Sequence, residues 1–542
     1  MTSYRASLLK TTIVALCSIL AGTPLVQAAV TIEQSPLILQ KPIPPNLVLM
    51  LDDSGSMSWD FMPDTASGTN SATNGTYYNP NINYIPPKNA TGGSYANATF
   101  PNAWINGFNT GSGSTNIQIY SSPYKGYTYY KYKYVGGSIT TCGSQYLGYN
   151  CVFVYNDPAT SVEKYIGQSC SGFTSNCTTD KAQQQNVANW FSYYRTRILM
   201  AKTGLTLAFS GLDKNYRFGF GSINGRNTAT IPSTPTPYTY SSPNNSNNKI
   251  AAVNTFGDGS SGTQKSNFWD WITTITPNNG TPLRSALKAV GEYYKTAQPW
   301  QTSSTDTTEY TCRPAYTILT TDGFWNTDSD SSIGVDNVDG SNGPEITAPS
   351  NYQRIAQQPY SDTYSNTLAD VAMKYWQDDL RTGLANEVPA TPSDPAFWQH
   401  MTTFTMGLGF TPTGITPSTL TYPEIFGWAR TGTPPTGVTS ISWPQPAADS
   451  INNIADLLHA AVNGHGDFFS AKNPTDFVNG IKSALAQIQD RKGAGNAITL
   501  SGSSTTASAN SIYRFIGSYY TGQWTGSITA ETWNGTTKLY TQ

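Results

Sequence analysis

Asn46-Leu47-Val48-Leu49-Met50-Leu51-Asp52-Asp53-Ser54-Gly55-Ser56-Met57-Ser58 begins with an unbroken apolar run and ends in Asp-x-Ser-Gly-Ser. A continuous run, rather than an alternating one, predicts a strand buried on both faces, as in a parallel sheet covered by helices. The loop behind it offers Asp52, Ser54 and Ser56 at a spacing of two. In a tight or extended loop such residues point the same way. One carboxylate and two hydroxyls are hard oxygen ligands, suited to Mg²⁺ or a similar divalent ion. Open α/β sheets bind their ligands at the carboxyl ends of strands. The expectation is therefore a metal site at the end of this strand.

Outward from that strand the chain keeps an α/β rhythm broken by long loops. Residues from about 60 to 180 are rich in Asn, Gly, Tyr, Ser and Pro and show no sustained helical period. Asp180 is placed to cap a long amphipathic run, Lys181 to Ser210, which Gly211 would stop. An alternating strand is expected over Tyr216–Ile223, then a polar loop to about Gly262. Helices are expected over Ser266–Thr274, Leu283–Thr296, Ser365–Leu384, Ile451–Val462 and Pro474–Gln489. Strands are expected at Tyr316–Thr321, Thr402–Met406 and Asp467–Ser470. Strands alternating with helices predict a mostly parallel, doubly wound sheet. Beyond Arg491 the pattern turns to short strands, at 497–500, 511–515 and 524–530, separated by Gly/Ser/Asn turns. They read as the start of a further β domain.

Composition narrows the class. The chain has 542 residues, a formal net charge of -2 and no basic run, which excludes a nucleic-acid groove. Aromatic residues make up 12%, too many for a disordered chain. Arg5 and Lys10 followed by the apolar stretch Thr11–Gly22 read as an export signal, with cleavage expected after Ala28. No later run is long enough to span a bilayer. Export implies a compartment that permits disulfides. By proximity, Cys142 with Cys151 and Cys170 with Cys177 would staple a Gly/Tyr/Ser-rich insertion that lacks its own core. Cys312 is left to pair with one of these, to pair between chains, or to stay free.

Three separated pieces converge on the first loop: Asp52-x-Ser54-x-Ser56 after the first strand, Gly280-Thr281-Pro282-Leu283 opening a helix, and Thr320-Thr321-Asp322-Gly323 after a middle strand. This set resembles the metal-ion-dependent adhesion site of von Willebrand factor type A domains. The resemblance implies a Rossmann-like fold and a ligand set of Asp52, Ser54, Ser56, Thr281 and Asp322. It also implies a divalent cation (Mg²⁺ first, then Ca²⁺ or Mn²⁺) with one position open to an acidic group of a partner. Hydroxyl ligands leave such an ion electrophilic enough to attract an outside carboxylate. A second acidic stretch, Asp328, Asp330, Asp336 and Asp339, offers carboxylates for another ion, without EF-hand spacing. His400, His459 and His465 accompany no nucleophile or zinc-type cluster and read as structural, and Arg195 and Arg197 read as surface charges.

Longer strings carry a narrower likeness. Asn186–Arg197 with Leu199-Met200-Ala201-Lys202, Pro359–Ala372 and Asp456–Gly464 are similar to stretches of the PilY/PilC family of type IV pilus tip and biogenesis proteins. The resemblance covers nearly the whole mature chain. It implies a signal peptide at 1–28, an extended segment at 29–45, and a type A domain at 46–492. Insertions would fall at about 59–180, 224–265, 324–362 and 410–450, and residues 493–542 would begin a truncated β-propeller-like domain. It further implies an exported protein at the cell surface, pilus tip or outer membrane that supports pilus biogenesis and adhesion. Its partners would be minor pilins or tip components and a host or abiotic surface ligand. The alternative is a purely structural module that primes or caps the pilus without exchanging a ligand. Catalysis is not expected, because no general base accompanies the carboxylates and hydroxyls.

Overall fold

The computed structural model describes residues 43–110 except 67, 152–225 except 174, and 245–493 except 304. Several further strands between 116 and 242 and beyond 497 are described by their backbone. All of these lie in one compact unit, Ile43–Gln542. The expected signal peptide and the Cys142–Cys151 pair lie outside the described residues.

The first strand, β1 (Asn46–Leu51), is buried at every residue. Its side chains divide between two cores. Val48 and Met50 pack on one face of the sheet, and Leu47, Leu49 and Leu51 on the other. The unbroken apolar run therefore has its cause: neither face meets water. Around β1 stand β2 (Arg217–Ser222), β3 (Tyr238–Ser242), β4 (Asn245–Thr255), β5 (Ala315–Thr321), β6 (Thr402–Leu408) and β7 (His465–Ala471). The sheet order is β3-β4-β2-β1-β5-β6-β7. Strands β2, β1, β5, β6 and β7 are parallel, while β4 runs antiparallel to β2 and β3 antiparallel to β4. Part of the 224–265 stretch, read from sequence as a loop, thus supplies the sheet edge. Its polar residues fit an edge position better than a central one.

Eight helices of at least ten residues stand among the described residues: α1 (Lys181–Tyr193), α2 (Arg197–Phe209), α3 (Gln264–Thr274), α4 (Leu283–Tyr294), α5 (Leu368–Gln377), α6 (Tyr422–Thr431), α7 (Asn453–Asn463) and α8 (Pro474–Gly493). Helices α4, α5, α6 and α7 cover one face, and α2, α3 and α8 the other. Three sequence expectations need correction. The run from Lys181 to Ser210 is two helices, because Thr196 adopts an extended backbone and caps the second through its hydroxyl. The helix expected over Ser365–Leu384 is shorter, starting at a Thr367/Asp370 capping box and ending at Gln377. The stretch 410–450 contains a full helix, α6, with its own Thr421/Glu424 capping box.

The insertion after Ser58 also has a core, contrary to the expectation of none. Tyr77, Tyr78, Tyr84, Phe153, Tyr155 and Ile166 pack on α1 residues Val187, Trp190, Phe191 and Tyr193 and on Tyr194, which caps that helix. Irregular backbone must find hydrogen-bond partners once buried. The aromatic tips supply them: Trp190 Nε1 donates to Thr76 O (2.8 Å), Tyr77 Oη to Val154 O (2.7 Å), Tyr193 Oη to Ala96 O (2.8 Å) and Tyr194 Oη to Ile85 O (2.6 Å). The Tyr-rich composition is thus what allows a loop-rich segment to pack. The Cys170–Cys177 disulfide is formed and Cys312 is a free, half-buried thiol. Past α8, strands at Ile498–Leu500, Ile512–Tyr520, Thr525–Trp533 and Lys538–Thr541 pair in chain order as an antiparallel sheet. No helix among the described residues is long and apolar enough to cross a membrane.

Candidate metal centre

The strand order reverses between β1 and β5, which makes the crevice beyond their carboxyl ends a topological switch point. The parallel register Leu51↔Thr320 sets Asp52 beside Thr321 and Asp322. Asp52 is fully buried. Its Oδ1 accepts from Ser54 N–H (2.8 Å), and its Oδ2 accepts from Thr321 Oγ1 (2.7 Å). Ser54 Oγ lies 3.0 Å from Ser56 Oγ, and Ser56 Oγ donates to Asp322 Oδ1 at 2.9 Å. Four of the five residues expected from sequence therefore form one hydrogen-bonded group.

Thr281 is brought to the same rim by main-chain stitching rather than by its hydroxyl. Gly55 N–H donates to Asn279 O, and Asn278 N–H to Asp53 O, both at 2.9 Å. Thr281 N–H donates to Asn326 Oδ1 (2.7 Å), and Asn326 N–H returns to Thr281 O (3.0 Å). The loops after β1, before α4 and after β5 are thereby held together. Glycine is needed at 280, where a Cβ would come within 2.4 Å of Thr327 Cγ2 and 2.6 Å of Asn326 Oδ1.

Arg197 is not the surface charge that its neighbours suggest. Its side chain is fully buried, and its Nη1 donates to Asp322 Oδ2 at 2.9 Å while Nη2 donates to Asp64 Oδ1 at 2.7 Å. Trp59 and Phe61 lie against the guanidinium at 5.0 and 5.5 Å. Arg197 opens α2 and Asp64 stands at the start of the insertion, so one cation ties both to the crevice. Thr321 and Arg197 are the positioning residues that sequence reasoning missed. Both stand in stretches singled out from sequence, but their role as partners of Asp52 and Asp322 is revealed only by the register of the sheet and the packing of α2.

The residues present fit a divalent cation. Two carboxylates and two hydroxyls converge, and burial together with the facing Asp322 pushes the Asp52 carboxyl up to about 7. A group so raised reports negative charge that a cation would offset.

The second acidic stretch does not come together. Asp328 caps α4, accepting from Arg284 N–H, Ser285 N–H and Ser285 Oγ, and Asp330 pairs with Arg284 at 2.7 Å. Asp336 is exposed. Asp339 alone is fully buried, and it meets Asp362 and His459, a set that could hold a metal ion. His459 was read from sequence as structural, and its partners are too distant along the chain for spacing to show them.

These buried acids set a pH dependence. Burial raises Asp52 and Asp362 to about 7, and Asp339 and Asp370 also stand well above the usual carboxylate range. In the folded chain they hold protons that the unfolded chain has released, so stability is lost as pH rises through about 7. His459, held down to about 4 by burial, opposes this only below its ordinary range. Chelated protein is therefore expected to melt at a higher temperature at about pH 6 than at about pH 8. Equal melting temperatures across that window would contradict the burial of these carboxyl groups.

The fold and the crevice together define an open, doubly wound α/β domain with an oxygen-rich site at its switch point. The chain belongs to the PilY1/PilC family. It is 33% identical over 505 residues to the type IV pilus biogenesis factor PilY1 of Pseudomonas aeruginosa strain PAK, covering 86% of this chain and 40% of that protein. It is 31% identical over 500 residues to the PilY1 of strain UCBPP-PA14, covering 85% of this chain and 39% of that protein. The chain thus spans about two fifths of the length of these curated relatives. No protein-family model matches the chain, and no solved structure matches it.

Proposed function

We propose that this chain serves type IV pilus biogenesis as an exported, pilus-associated protein, and that its α/β domain is a von Willebrand factor type A domain binding a partner through a divalent cation. The relatives named as pilus biogenesis factors support the first part. The second rests on one observation, the linked oxygens of Ser54, Ser56 and Asp322 in front of buried Asp52. Asp52, Ser54, Ser56, Thr281 and Asp322 would hold Mg²⁺ or a similar ion, which supplies an electrophilic point for a partner's carboxylate. A cleft of about 870 Å³ lined by Asp64, Phe324 and Phe410 adjoins that rim and gives a partner room beside it. Minor pilins, tip components and a surface ligand with an acidic group are the partners this reading assigns.

Asp52→Ala and Ser54→Ala are expected to weaken Mg²⁺ binding by more than about tenfold in calorimetry, with the circular dichroism spectrum preserved. Attachment of piliated cells displaying Asp52→Ala at wild-type level should fall with it, and equal attachment would refute metal-dependent adhesion. One observation favours the alternative of a structural module that contacts minor pilins without exchanging a ligand: Arg197 already gives Asp322 a cation. That reading predicts capture of minor pilins unchanged by chelation.

A further inference from the structure

We propose that Asp339, Asp362 and His459 hold a second divalent cation, of the zinc class, that clasps the loops around 339 and 362 to helix α7. One ligand atom from each residue lies within 4.8 Å of the others. Asp339 and His459 are buried and Asp362 nearly so. The site stands apart from Asp52 and does not depend on the function proposed for it.

The hydrogen bonding shows what is missing. His459 Nε2 lies 2.6 Å from Tyr360 O. A carbonyl oxygen only accepts, so Nε2 carries the proton and Nδ1 of the neutral ring carries a lone pair. That Nδ1 faces Asp362 Oδ2 at 3.6 Å. With Asp362 ionised, two acceptors face each other in a buried place, an arrangement that calls for a positive centre between them, a proton in the metal-free chain and a cation in the loaded one. The ring cannot easily turn away, because Trp443 stacks on it at 4.0 Å and 9°. A second buried atom, on a residue that touches Asp339, lacks a partner. Asn463, fully buried, donates through Nδ2 to Asp339 Oδ2 at 2.8 Å, and its Oδ1 has no hydrogen-bond partner among the described residues. Arg354 does not neutralise the carboxylates by hydrogen bonding. It donates to the main-chain oxygens of Val338, Asp339 and Ser341 and to Gln377 Oε1.

The donor set selects the ion. One imidazole with two carboxylates suits Zn²⁺ and its borderline neighbours, whereas Mg²⁺ and Ca²⁺ prefer oxygen alone. Two carboxylates balance its charge. With Asp339 and His459 buried, the role of the ion is structural.

The test uses the full chain carrying Asp52→Ala, in which the switch-point site is disabled. After exposure to Zn²⁺ and dialysis, elemental analysis is expected to find one retained ion per chain, and the melting temperature is expected to rise. Co²⁺ in its place should give an absorption spectrum with a nitrogen ligand. Adding Asp362→Asn or His459→Gln should abolish retention and the thermal gain. Absence of a retained ion in Asp52→Ala, or equal retention after both further substitutions, overturns the proposal and leaves a shared proton between His459 and Asp362. Should either further variant fail to fold, the Co²⁺ spectrum decides: one without a nitrogen ligand overturns it.

Discussion

Replacing Arg197 by methionine is expected to cost about 3–5 kcal/mol of stability in metal-free buffer, because removing one partner of a buried ion pair leaves the other charge uncompensated. The cost falls on Asp322. Its side chain is 1% exposed and loses a donor at 2.9 Å. Asp64, at 25% exposed, can take up water instead. Methionine keeps much of the apolar contact with Trp59 and Phe61, so the change reports charge more than packing. The outcome that separates charge balance from simple packing is rescue. A divalent ion at Asp52, Ser54, Ser56 and Asp322 would supply the missing positive charge, so saturating Mg²⁺ should restore a substantial part of the loss in Arg197→Met. Urea melts with and without Mg²⁺ measure this. An equal deficit under both conditions would mean that Arg197 matters for packing and that no ion reaches Asp322.

The same residue marks how far the sequence could be read. Leu47–Leu51 announced a strand covered on both faces, and the two cores divide its side chains as such a strand requires. Asp180 announced a helix start and indeed accepts from Ala182 N–H and Gln183 N–H. Asp52, Ser54, Ser56 and Asp322 were legible because loops at the ends of parallel strands must meet at a switch point. Arg197 was not, since a buried and an exposed arginine look alike in a helix and only the partner distinguishes them. Strand β4, next to the edge strand β3, was hidden because its first half, Asn245–Lys249, is polar and no pairing partner can be read locally. Helix α6 was missed although Thr421 and Glu424 spell a capping box, because the Pro/Thr-rich flanks outweighed it. The Asp339, Asp362 and His459 group spans more than a hundred residues and has no local signature.

Trp190→Ala is expected to cost about 3–5 kcal/mol, in the range for deleting a large buried aromatic side chain. The loss should be local. Trp190 sits among Tyr77 at 5.4 Å, Phe153 at 5.6 Å and Tyr78 at 5.9 Å, all in the insertion's own core and absent from the two cores of the sheet. The substitution also removes the indole donor from Thr76 O, leaving that carbonyl unpaid in a buried place. A segment with its own core can open before the rest of the domain. It is tied to the rest of the domain by Thr196 between α1 and α2, by the Arg197–Asp64 pair, by Trp269 Nε1 donating to Lys88 O at 2.6 Å, and by Met62, which packs in one core of the sheet. Limited proteolysis of Trp190→Ala should therefore cleave within about 59–180 first, while the sheet stays folded and Mg²⁺ still binds. Simultaneous loss of the insertion, the sheet and ion binding would show instead that the aromatic core and the switch-point site unfold as one cooperative unit. The insertion would then hold the crevice in shape as well as shape what can reach it.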